Sequence, residues 1–175
     1  MSALVYIIQT LLALYLGVVL LRLLLQWSRA DFRNPICEAI VRLTNPLILP
    51  LRRVLPPVGK IDTASVVAVI LVAVLAELIV TSLAGDRLPD ALLVLRYALL
   101  DIARTTLHIY FYAIFLYALL SIVTPGSYSP VQGLLTTLCE PVLRPFRRYI
   151  PAVGGIDLSP LWAGIAIQAI LILLL

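Results

Sequence analysis

A cassette of thirteen residues occurs twice in this chain, and each copy feeds into a long apolar run. The first reads Pro50-Leu51-Arg52-Arg53-Val54-Leu55-Pro56-Pro57-Val58-Gly59-Lys60-Ile61-Asp62. The second reads Pro145-Phe146-Arg147-Arg148-Tyr149-Ile150-Pro151-Ala152-Val153-Gly154-Gly155-Ile156-Asp157. Pro46 pairs with Pro141 and Pro35 with Pro130 in the same register, so the correspondence extends well upstream. Proline, glycine and aspartate direct the backbone, and keeping them at fixed offsets implies two copies of one structural unit.

The surroundings of the cassettes place them at a membrane. Hydrophobic residues make up 62% of the 175 and charged residues 13%, with a mean hydropathy of +1.09. A soluble domain is nearer half apolar and a quarter charged. Four runs are candidate spans: about 3–26, 63–83, 105–123 and 158–175. The last, at about 27 Å of helical rise, barely matches a hydrocarbon core of about 30 Å. The expected fold is all-α and membrane-embedded. It has four transmembrane helices in two parallel two-helix repeats, each with an interfacial amphipathic helix and a Pro/Arg-rich link. Residues 1–84 form the first repeat, 85–104 a connecting interfacial helix that is alternatively continuous with the third span, and 105–175 the second repeat.

The interfacial helices rest on spacing. Ile36, Ile40, Leu43 and Leu47 recur at helical intervals, with Glu38, Arg42 and Asn45 elsewhere. Leu134, Leu135 and Leu138 repeat the pattern. The arginines are expected just beyond, in a turn-rich link that proline keeps from continuing as helix. Basic residues concentrate between spans one and two, and again around Arg144, Arg147 and Arg148, which makes these connections cytoplasmic and both termini external.

The cassette, with Asp31-Phe32-Arg33-Asn34-Pro35 and Asn45-Pro46 ahead of it, resembles the YggT family, also called YlmG. The resemblance implies a small integral protein of the bacterial inner membrane with a duplicated two-span unit, and the distribution of basic residues then puts both termini in the periplasm. It also implies roles around osmotic or ion stress, cell division and, in plastids, cytochrome assembly and nucleoid distribution. It brings no catalytic residues with it.

Two readings fit Arg52, Arg53, Arg147 and Arg148. Guanidinium groups suit bidentate contact with lipid phosphate or an acidic partner segment, and they also suit simple positive-inside anchoring. Asp62 and Asp157 open the following spans, either as helix caps or as ion-pair partners of cassette arginines. Glu77 lies well inside a span, with Arg87, Arg104 and His108 as candidate partners, and Gln168 is a further intramembrane polar residue. With two unmatched cysteines, one histidine and no nucleotide or hydrolase motif, no enzyme activity, metal, cofactor or nucleic-acid partner is expected. The expected function is a scaffold or assembly factor that engages anionic phospholipid and a membrane-protein partner or a second copy of itself. A cation or osmolyte channel component is the alternative.

Overall fold

Six helices account for the regular structure in the computed structural model, which describes residues 3–56, 62–85, 89–123, 129–150 and 157–174. They are α1 (Ala3–Trp27), α2 (Pro35–Val54), α3 (Thr63–Ala84), α4 (Ala91–Val123), α5 (Pro130–Tyr149) and α6 (Ser159–Leu173). Local sequence sets their ends. Gly85 takes a left-handed φ of 78° and returns its N–H to Ser82 O, closing α3. Ser129 Oγ accepts from Gln132 N–H at 3.1 Å, with Pro130 in the first turn of α5.

Three helices, α1, α3 and α4, are long and apolar enough to cross a membrane. Their large exposed side chains, such as Leu11, Leu14, Leu75, Leu119 and Ile122, are what lipid contact requires. The fourth expected span is shorter than its sequence run: α6 has 15 residues, a rise of about 22 Å. The third is longer. α4 runs unbroken for 33 residues, so the stretch around Asp101 and Arg104 is continuous with the apolar segment rather than a separate interfacial helix.

The chain divides into two compact units. Unit 1 comprises residues 1–23 and 40–106, and unit 2 comprises residues 24–39 and 107–175. In unit 1 a row of small side chains on α3, Ala64, Ser65, Ala68 and Ala73, is fully or almost fully buried. In unit 2, α5 packs against α6, and Leu138, Leu143, Ala163 and Ile167 are buried.

Two expectations about the amphipathic helices need correction. Neither arginine pair lies in a turn-rich link: α2 continues through Pro46 and Pro50, α5 through Pro141 and Pro145, and both pairs occupy last turns. An interior proline costs about 3 kcal/mol in an isolated helix. All four prolines are exposed, however, so each lost hydrogen bond falls on the outer face. The opposite faces bury Ile40 and Ile48, or Leu135, Leu138 and Leu143, at roughly 1.5–3 kcal/mol per side chain. Basic groups at helix C-termini also complement the dipole. The buried stripe of α2 is rotated as well. It runs Cys37, Ile40, Thr44, Ile48, while Leu43 is 62% exposed, because Thr44 is drawn inward by a buried hydrogen bond from Arg22.

Candidate functional site

The two cassettes use their first arginine in the same way. In unit 1 the Arg52 guanidinium bonds Asp62 Oδ2, tying the last turn of α2 to the residue that opens α3. Ser65 Oγ donates to the same oxygen at 2.7 Å. The Asp62 side chain is only 5% exposed. Burial alone would raise its carboxyl, but the bonds from Arg52 and Ser65 and the arginine charge outweigh that and hold it below the usual carboxylate range.

In unit 2 Arg147 bonds Asp157 through Nε at 2.9 Å, across the same ten-residue interval. It has two more partners: Glu140 Oε2 at 2.7 Å and the Tyr117 hydroxyl at 2.9 Å. Its guanidinium carbon is 5.8 Å from the Tyr117 ring centroid. Burial works against the Arg147 charge, and the bonds to Asp157 and Tyr117 more than restore it, so its pKa is raised. Asp157 is likewise held low, against the effect of burial, by its bonds with Ser159 and Arg147.

The aspartates divide the work of capping and pairing differently. Asp62 stands at the N-cap of α3, and its carbonyl accepts from Val66 N–H. Its side chain makes no geometrically formed cap, although both the hydroxyl and the backbone N–H of Ser65 in the first turn lower its pKa. Of the two roles expected for it, the Arg52 ion pair is the one formed with full geometry. Asp157 does both, since Oδ1 accepts from Ser159 N–H at 2.9 Å while Oδ2 takes Arg147.

The second arginine of each pair is used otherwise. Arg53 and Arg148 are exposed and form no hydrogen bond or ion pair among the described residues. Arg144, one turn before Arg148, is exposed as well. Each cassette therefore presents one committed and one available guanidinium. The segments 57–61 and 151–156, which carry the cassette glycines and Lys60, lie outside the described residues.

A second polar contact in unit 1 was not anticipated. Arg22, 4% exposed on α1, donates to Thr44 Oγ1 at 2.7 Å and Asn45 Oδ1 at 3.0 Å on α2. In cassette register Arg22 matches Tyr117 and Asn45 matches Glu140. The signal was present in the sequence: polar side chains at matched positions upstream of both cassettes.

The polar residues expected within the spans fall in both units, Glu77 in unit 1 and His108 and Gln168 in unit 2. Glu77 on α3 is half-buried and within electrostatic range of the Asp101 carboxyl. Arg87 lies outside the described residues. His108, in unit 2, is exposed, its ring centroid 6.4 Å from that of Tyr112. Gln168 is exposed on α6. Among the described residues there is no His, Cys, Asp or Glu group able to hold a metal ion. Burial pushes the Cys139 thiol up to about 12 despite nearby Arg147, and burial followed by the Asp31 charge raises Cys37.

The family model CCB3/YggT matches residues 1–83 and again residues 96–175. The chain belongs to the CCB3/YggT family. An uncharacterised protein of Pseudomonas aeruginosa is 42% identical, over 97% of this chain and 86% of its own length. YggT of Escherichia coli K12, also described as uncharacterised, is 36% identical over 92% of this chain and 83% of its own. A YlmG homolog of the Arabidopsis thaliana chloroplast matches 45 residues at 42% identity, 26% of this chain and 18% of the homolog. No solved structure matches the chain.

Proposed function

We propose that this CCB3/YggT family member is a non-enzymatic scaffold or assembly factor of the bacterial inner membrane. The two cassettes are read as copies of one unit, with α6 crossing as a fourth span and both termini periplasmic. The exposed Arg53 and Arg148 then lie on the cytoplasmic side, at the ends of two amphipathic helices, and engage anionic lipid and an acidic partner segment. One observation carries this reading: in both cassettes the first arginine is consumed by an aspartate ten residues on, and the second is left exposed. Anchoring alone does not require that division, and an unengaged guanidinium at the same place in both cassettes suits a binding surface. Each exposed arginine near an anionic surface contributes about 1 kcal/mol.

The test is photo-crosslinking in living cells from positions 53 and 148, with exposed Leu49 as the control position. Phospholipid adducts and a discrete protein adduct are expected from 53 and 148 only. Identical products from position 49 would remove the specific role of the arginines.

A second reading, as a component of a cation or osmolyte channel, draws on Glu77 lying near Asp101 on two apolar helices. Cation flux into liposomes that Glu77→Gln abolishes would favour it over the scaffold. Absence of flux from the wild-type protein would reject it.

A further inference from the structure

Unit 2 carries an open groove of about 660 Å³ between the second half of α4 and α6. Phe111, Phe115, Gly164 and Ile172 line it, and Gln168 stands midway along it. The matching positions in unit 1 are closed. Leu16, Leu20, Val69 and Ala73, which correspond to Phe111, Phe115, Gly164 and Gln168, are each no more than 3% exposed. By contrast Phe115 is 60% exposed and Gln168 is exposed.

In unit 1 the first half of α4 lies over α1 and α3. Thr105 Cγ2 sits 4.0 Å from where a Cβ on Gly17 would stand, and Asp101 is within electrostatic range of Glu77, the match of Ile172. No described helix of unit 2 plays that part. The occupant that closes such a face in this fold is therefore another helix.

Gln168 selects which helix. Its amide has two donor hydrogens and an acceptor oxygen, none of them bonded among the described residues. An amide held in hydrocarbon without a partner is unfavourable. The simplest complement to an amide is a second amide, and a twofold axis beside α6 supplies one. Groups either side of Gln168 are small, Gly164 and Ala169, so two helices can approach closely there.

We propose that this groove is the docking surface for a second copy of the chain. The two α6 helices pack into each other's α4–α6 grooves, and the two Gln168 amides bond reciprocally. A C2 arrangement uses the same patch on both copies, which a self-complementary amide satisfies. The inference rests on the proposed membrane crossing of α6, and the experiment separates the two.

Cys37 and Cys139 are first replaced by alanine, and single cysteines are placed at 168 and, on the side of α6 away from the groove, at Ile170. In native membranes, disulfide crosslinking is expected at 168 and not at 170, with neither position reacting with a membrane-impermeant thiol reagent. Ala169→Trp, which fills the groove from an exposed position, abolishes the 168 crosslink and shifts elution from dimer to a monodisperse monomer, while helicity is unchanged. Gln168→Leu weakens dimerisation about tenfold.

Labelling of position 170 by the impermeant reagent would overturn the membrane crossing, and the dimer with it. Protection of 170 without a 168 crosslink would overturn the dimer alone. A wild-type monomer with lipid or another protein's helix in the groove would do the same.

Discussion

The cassettes in units 1 and 2 make the same bond in different surroundings. The Arg52–Asp62 pair has its carboxylate almost wholly buried and shared with Ser65. Arg147 instead holds three partners, and its carboxylates on Glu140 and Asp157 are 46% and 41% exposed. An ion pair's consequence depends on what is stranded when it breaks. Loss of Arg52 strands a buried charge, whereas loss of Arg147 leaves carboxylates that water can solvate. The same motif thus acts as a latch in unit 1 and as a surface network in unit 2.

That difference is open to direct attack. The largest effect is expected from Arg52→Ala, at about 3 kcal/mol of destabilisation, the value for uncovering a buried partner. Arg147→Ala costs about 1 kcal/mol, in the range of solvent-exposed pairs. Unfolding titrations in detergent compare them, and equal losses would erase the distinction. Glu140→Gln, which removes a half-exposed charge but keeps a hydrogen-bonding group, should cost about 0.5 kcal/mol in the same titration.

Acid provides another comparison. Asp62 and Asp157 both have folded pKa values below the unfolded one, so each contributes stability that is complete above about pH 4. That contribution is lost as pH falls below this toward the depressed folded values. Stability measured between pH 5 and 8 should be flat in these groups, with a loss below about pH 4 that Asp62→Asn diminishes. A wild-type profile that already declines between pH 7 and 5 would assign the sensitivity elsewhere. The smallest effect belongs to the thiols. With Cys139 raised to about 12 and both cysteines fully buried, a polar maleimide at pH 7 should label neither before unfolding.

Much of the framework was legible because it is written in period and punctuation. Apolar runs around Ala3–Trp27 and Thr63–Ala84 announce their helices directly, and the paired Pro-x-Arg-Arg…Asp registers announce two related polar sites. The course of the chain at Pro46 and Pro50 was misread because local proline chemistry opposes helix, and only burial of Ile40 and Ile48 reverses it. The α2 stripe was misread by part of a turn because it was drawn through aliphatic residues alone, whereas Thr44 is pulled inward by Arg22. Roles within each arginine pair were not readable either. Neighbours along the chain look alike, and helical geometry turns one toward the aspartate and leaves the other exposed.

The proposed function turns on that division of labour: Arg52 and Arg147 are taken up by aspartates, and Arg53 and Arg148 are proposed to bind. Its most direct test is the selectivity of the purified protein for anionic over zwitterionic lipid in mixed bilayers. Arg53→Gln with Arg148→Gln is predicted to lower that selectivity at least tenfold, at about 1 kcal/mol per arginine, with stability unchanged. Unchanged selectivity in this double variant, or an equal loss from Arg52→Gln with Arg147→Gln at full stability, would contradict it.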